Sequence, residues 1–358
     1  MYTQEMIDAI SANQTAYLYT EAGELTPKMR QTDAEVIEFG GSSENGLLSR
    51  FIGSLSLPYS DLSNELKEKL HPTVKLVRNG LLEHINEHVD VLITHDLVDD
   101  MILSNLVDVP VIRIYHGIEQ TGIGTQAHEL LSTSYSVVNS IQTRKELVEN
   151  LGHTPTGIAY PGVDSELFNP AVTPAFERDE RTVLFVGRFI PGKGVFDLID
   201  AVAQISEDIH LHLIGRGDRG ALMERIDTYG LESAVTIDES VPHDELPGYY
   251  TAADVVCLPS HYESFGMVNL EAMACGTPVV TTDLPGITEY AFDRETAMVV
   301  PPKQPDELAK SIGEVLSMPD LRTRLSENGR AIAKRYSWER SATDLVNTCL
   351  NVVDDSQT

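Results

Sequence analysis

His261-Tyr-Glu-Ser-Phe-Gly-Met-Val-Asn-Leu-Glu-Ala-Met-Ala-Cys-Gly-Thr-Pro-Val-Val280 is the stretch that decides how this chain reads. An apolar run, Asp254 to Leu258, precedes it and closes on Pro259-Ser260, as a strand does at a turn. A helix is expected from near Gly266 to Gly276, and Pro278 opens another apolar strand, Val279 to Thr281. Strand, loop, helix and strand in that order offer a helix N-terminus to a phosphate. Glu263 falls on the loop and Glu271 within the helix. Carboxylates accept paired hydrogen bonds from vicinal diols such as those of a sugar. The amides of Phe265, Gly266, Met267 and Val268 lie where phosphates between two sugars would be held. The layout suits a nucleotide-sugar. Two glutamates at this spacing on their own describe a solvated acidic helix face equally well. The strand before them, the Ser264-Phe265-Gly266 turn and the Gly276-Thr277-Pro278 exit decide against that.

Upstream, Thr182 to Val186 reads as a strand that turns at Gly187-Arg-Phe-Ile-Pro-Gly-Lys-Gly194 into a helix. Glycines free the backbone there, the helix dipole favours an anion, and Arg188 and Lys193 add two cations. The spacing is not that of a P-loop, and no Ser or Thr follows Lys193. Nor is it Gly-x-Gly-x-x-Gly, which weighs against a dehydrogenase. Further strands are expected at His210 to Ile214, ending in Gly215-Arg-Gly-Asp218, and at Ala234 to Ile237. Thr282 to Glu289 reads as a turn and a short helix, and Leu308 to Ser337 as helical.

The first half alternates strands, at Thr15–Tyr19, Glu35–Phe39, Val91–Thr94, Val111–Tyr115 and Ser136–Asn139, with helices near 62–70, 74–88, 97–107 and 142–151. That alternation argues for a parallel sheet. His116 and Gly117 follow the strand ending at Tyr115, at the carboxyl edge where open α/β sheets bind ligands. A lone histidine is as readily structural, but the following glycine would let backbone approach a ligand. Pro161, Pro170 and Pro174, then the charged run Glu177 to Arg181, read as a linker.

The pair Glu263 and Glu271, with Ser264-Phe265-Gly266 and Glu271-Ala-Met-Ala-Cys-Gly-Thr-Pro278 around it, resembles the paired-glutamate motif of the family-4 retaining glycosyltransferases. The resemblance covers nearly all of the second half and thinly covers the first. It implies a GT-B fold: two Rossmann-like domains facing a cleft, with a last helix, from Tyr336-Ser-Trp-Glu339 onward, crossing back to the first. The domains expected are 1–175 on the acceptor side, 181–335 for the donor, and 336–358 for that helix. By the same resemblance Gly187, Arg188 and Lys193 hold the donor diphosphate, and Arg188 and Lys193 stabilise the charge that grows on it. Glu263 and the amides orient the sugar, Glu271 holds the ribose, and backbone near Val241 meets the base. His116 faces the sugar, with Gly117 toward the acceptor. No cofactor or metal is expected. Relatives open with a strand and a glycine-rich loop; here only Glu21-Ala-Gly-Glu24 and the later Gly40-Gly41 answer to it, so the first domain reads as trimmed or diverged.

At 358 residues the chain suits two domains, and its composition is that of a globular protein. Cys257, Cys275 and Cys349 lie in apolar contexts without Cys-x-x-Cys spacing, as buried thiols do in a reducing compartment. No apolar run reaches a membrane span, and the N-terminus lacks the form of a secretory signal, so a cytoplasmic protein is expected. The net charge of −29 repels nucleic acid and anionic lipid. It fits a protein of a salt-loving cell or simply an acidic soluble one. The expected partners are a nucleotide-sugar and a glycan, lipid-linked or other hydroxyl acceptor. A lipid-linked acceptor would place the first domain peripherally at the inner membrane face. A nucleotide-sugar epimerase of the same fold and a non-catalytic subunit of a transferase complex are the other readings.

Overall fold

The computed structural model describes residues 2–12, 14–21, 34–39, 73–95 (75 and 78 excepted), 100, 102–118, 135–177, 179–206 and 208–356. The helix expected near 62–70, the segment following Glu21 and the Gly40-Gly41 pair lie outside these residues. The chain forms two compact units, one of residues 1–160 with 338–358, the other of 161–337.

In the first unit, β1 (Tyr17–Glu21) and β2 (Glu35–Phe39) pair in parallel. A second parallel sheet runs in the order β3 (Leu92–Thr94), β4 (Val111–Tyr115), β5 (Tyr135–Val138) and β6 (Gly157–Ile158). Every residue of β4 is buried, which is why it reads as an unbroken apolar run interrupted only by Arg113. That guanidinium pairs with buried Asp100 at 3.8 Å. After β5, Ser140 caps the helix Ile141–Leu151 by accepting from Thr143 N, and left-handed Gly152 ends it. The unit's core joins Met6 of the first helix and Ile112, Ile114 and Val137 of the sheet to Trp338, Ala342, Leu345, Cys349 and Val352. Those five come from the final helix, Trp338–Ser356.

The second unit holds one six-stranded, wholly parallel sheet. It comprises β7 (Arg181–Val186), β8 (Ile209–Ile214), β9 (Val235–Asp238), β10 (Val255–Leu258), β11 (Val279–Thr282) and β12 (Met298–Val300). The spatial order is β12-β11-β10-β7-β8-β9. Counted within the unit that is 6-5-4-1-2-3, the doubly wound order, and its direction reverses between β7 and β10. Burial on both faces explains the apolar runs Val183–Val186 and Val255–Leu258.

Two local expectations need correction. Residues 285–290 form turns and no helix. The helical stretch after Leu308 is two helices, Pro305–Ser317 and Pro319–Ala333, because Pro319 has no amide to continue the first and instead opens the second. Pro161 to Ala175 pack within the second unit: Phe168 is buried against Tyr250, and Ala175 N donates to Gly248 O at 2.8 Å. Among the described residues no helix is long and apolar enough to cross a membrane.

Candidate active site

Ligands of doubly wound sheets bind at the carboxyl ends of the strands where the order reverses. Here those are the loops after β7 and β10, and they are the two motifs singled out in the sequence.

The two loops are built against each other. Gly187 N donates to Ile214 O, and the loop then makes a short turn, Pro191–Lys193, before the helix Val195–Val202. Gly194, at φ 68°, starts that helix; a Cβ there would stand 1.9 Å from Pro259 O, so only glycine lets the loops touch. Across the contact His261 N donates to Gly192 O at 2.9 Å. The His261 ring reaches Asp197 Oδ2 at 2.7 Å, in the first turn of the same helix. No side chain caps this helix N-terminus. Its first amides therefore remain for a ligand anion.

Charge is arranged on this frame. Lys193 Nζ donates to Glu263 Oε1 at 2.5 Å, and Ser260 Oγ donates to the same oxygen at 3.0 Å. The side chains are mostly buried, 22% and 11% exposed, so the pair is far less screened than a surface ion pair. Arg188 is exposed, and its guanidinium has no partner among the described residues. In a chain of net charge −29, these are local cations at the place where an anion would dock.

Glu271 lies on the helix Met267–Ala274 with its side chain 4% exposed. Tyr250, fully buried, donates its hydroxyl to Oε2 at 2.8 Å, and His243 Nε2 meets Oε1 at 3.1 Å. Burial first, and the Glu271 charge second, push the Tyr250 phenol well above its ordinary value, so it stays a donor. A carboxylate has about four lone-pair positions, so two remain.

Gly266 starts this helix in the left-handed region, φ 79°, again with no side-chain cap. A Cβ would come within 2.6 Å of Ile287 and 2.9 Å of the Tyr290 hydroxyl. That buried hydroxyl donates to the carbonyls of Phe265 and Gly266, which aims the amides of Met267 and Val268 outward from the helix start. Phe265 contributes backbone only, since its ring is packed against Tyr290 and Tyr336.

The expected site residues therefore fall in three places. Gly187, Arg188, Lys193, Glu263, Phe265, Gly266, Met267, Val268 and Glu271 belong to the paired loops of the second unit. Val241, half-buried, stands in the loop after β9, beside Ser240, whose hydroxyl receives Arg216 Nη2 at 3.0 Å. His116 and Gly117 belong to the first unit, just past β4. There His116 Nε2 and His95 Nδ1 are 3.0 Å apart with the rings near parallel, at 10°. Asn139 holds the His116 carbonyl at 3.3 Å. Burial, then the neighbouring charges of His116 and Arg113, lower His95 to about 3; burial, then Arg113, lowers His116 to about 4. Both are neutral imidazoles at ordinary pH. Sequence reasoning passed over His95, which meets His116, over Ser260, which holds Glu263, and over His243 and Tyr250, which hold Glu271. It also passed over Asp197 and His261, which tie the two loops together.

A family model described as glycosyl transferases group 1 matches residues 172–332. An uncharacterized glycosyltransferase of Methanocaldococcus jannaschii is 32% identical over 289 residues, spanning 72% of this chain and 74% of the relative. The chain belongs to the group 1 glycosyltransferases. This glycosyltransferase is also similar to a D-inositol 3-phosphate glycosyltransferase of Corynebacterium aurimucosum, 28% identical over 379 positions, 94% of this chain and 88% of the relative. Among solved structures, sucrose-phosphate synthase from Thermosynechococcus elongatus matches with a TM-score of 0.76 at 24% identity, over 99% of this chain and 93% of that one. HepE of Anabaena, in complex with UDP and glucose, matches at 0.74 and 20%, over 99% and 95%. The fold is GT-B, with two Rossmann-like domains.

Proposed function

We propose that this glycosyltransferase takes a hexosyl group from a nucleotide-sugar and passes it to an acceptor hydroxyl with retention at the anomeric carbon, in glycan or glycolipid assembly. The observation that carries the reading is the stitched pair of loops at the sheet's reversal. It puts uncapped helix N-termini, the Lys193–Glu263 pair and buried Glu271 in one unit. HepE, solved with UDP and glucose, supports a nucleotide-sugar donor. Relatives named for an inositol phosphate support a hydroxyl acceptor.

The anomeric carbon–oxygen bond breaks toward the diphosphate, which leaves with the electron pair. The acceptor oxygen bonds to that carbon from the same face and gives up its proton to the oxygen of the departing diphosphate. Arg188, Lys193 and the amides of Met267 and Val268 oppose the charge growing on the diphosphate, the effect that usually dominates such steps. No bound metal takes part in this reading. Glu271 accepts from the ribose diol, while Glu263 orients the sugar. His116 contributes to transfer more than to donor binding. The acceptor is engaged through the first unit, at the cytoplasmic face of the membrane if it is lipid-linked.

Glu271→Ala should weaken nucleotide-sugar binding about ten-fold or more, as expected for a lost charge-assisted bond of about 1.5–3 kcal/mol. Calorimetry of wild type and variant reads this directly, and unchanged affinity would remove Glu271 from the donor site. Product NMR then decides the reaction. Retained anomeric configuration on an elongated acceptor supports it, and an isomerised nucleotide-sugar would make the protein an epimerase.

A further inference from the structure

Glu271 is an acid held almost out of solvent with no lysine or arginine beside it among the described residues. Its hydrogen bonds come from two side chains of unlike character. Tyr250 is immobile: fully buried, with its own carbonyl taken by Thr277 Oγ1 at 2.6 Å. His243 sits in the loop between β9 and the helix Leu246–Ala252, its side chain 26% exposed. The ring rests edge-on against buried Phe168, with centroids 5.0 Å apart. Its Nδ1 makes no hydrogen bond to the described residues.

We propose that His243 is a positioning residue of the donor site, which fixes the Glu271 carboxylate plane so that its two remaining lone pairs meet the vicinal hydroxyls of a nucleotide ribose. The proposal rests on the donor reading above. A bond to a carboxylate requires hydrogen on Nε2, so contact with Glu271 sets the tautomer and leaves Nδ1 at the exposed edge. One donor on each carboxylate oxygen stops rotation about the terminal bond, which Tyr250 alone would not do. Phe168 in turn holds the ring from a segment with no part in the motifs.

The test uses the full chain with uridine diphosphate and guanosine diphosphate as probes, each titrated calorimetrically, and continues with whichever binds tighter. His243→Leu keeps bulk against Phe168 and removes the donor; it should weaken binding about ten-fold. His243→Gln returns an N–H donor and should recover most of the affinity. The effect should vanish in two settings where a purely structural role would leave it: in a Glu271→Ala background, and toward a 2′,3′-dideoxynucleoside diphosphate. Should the leucine variant fail to fold, His243→Asn, too short to reach Oε1, carries the same expectation. Wild-type affinity in the leucine or asparagine variant, or an undiminished loss in the Glu271→Ala background, overturns the role of His243. If Glu271→Ala itself binds normally, the donor reading falls first and this inference with it. A loss with Glu271→Ala but not with His243→Leu sinks the inference alone.

Discussion

The two units finish their strands on different kinds of surface. Past β7 and β10 the second unit pairs Lys193 with Glu263, sets His261 against Asp197 and His243 against Glu271, and leaves Arg188 exposed. Past β3 and β4 the first unit carries His95 and His116, which burial keeps uncharged. Carboxyl ends of parallel strands are where open α/β sheets bind ligands. The difference lies in what each can recognise. Fixed charges in a partly dry setting suit an anion whose charge changes during reaction, and neutral imidazoles suit hydroxyl groups.

The largest expected effect attacks the charged side. Lys193→Ala removes a cation and leaves Glu263 without its counter-ion, so kcat should fall about 10²–10³-fold, the range seen when one charge-stabilising donor is lost. Initial-rate kinetics beside a thermal melt will show whether turnover falls while the fold survives; a normal kcat would dismiss Lys193 from the chemistry. The neutral side breaks with acid. His95 and His116 bind protons more weakly folded than unfolded, so the unfolded chain takes up more protons between the ordinary imidazole value of 6.5 and about 4. Stability is therefore complete above that window and is lost as pH falls through it, by on the order of 3 kcal/mol for each histidine. His95→Phe should flatten that decline in denaturant titrations at pH 7, 6, 5 and 4, and a slope identical to wild type would contradict it. The smallest effect is none at all. If Arg188 and Lys193 neutralise the diphosphate, excess chelator leaves the transfer rate unchanged, whereas loss of activity restored by magnesium or manganese would reverse that assignment.

What could be read in advance follows from how local each feature is. Val183–Val186 and Val255–Leu258 are buried on both faces, so their apolar runs announce strands without any knowledge of neighbours. β12 is three residues long, too short to give such a signal. The helix expected after Thr282 fails because the segment supports the Glu263 loop instead: Gly286 is pressed against Ser264 O, and Tyr290 reaches back to the Phe265 and Gly266 carbonyls. The acidic motif and the glycine loop are legible because each is one strand, one turn and one helix. Tyr250 and His243 are not, since they reach Glu271 from 21 and 28 residues upstream, and only the fold brings them there. His95 is equally distant from His116, on a neighbouring strand end, and a lone histidine after a short apolar run has no pattern to betray it.

The final helix has a consequence for the order in which the protein can be made. Among the described residues, half of the buried cluster that joins the first unit's sheet to its helices is Trp338, Ala342, Leu345, Cys349 and Val352, whereas the second unit is one continuous stretch. A ribosome therefore releases a complete second unit while the first still waits, its sheet face of Ile112, Ile114 and Val137 uncovered. The usual N-to-C sequence of domain folding is inverted. The half that begins the chain closes last, and a nascent protein stopped just short of Trp338 would be a finished second unit tethered to an open, aggregation-prone first one.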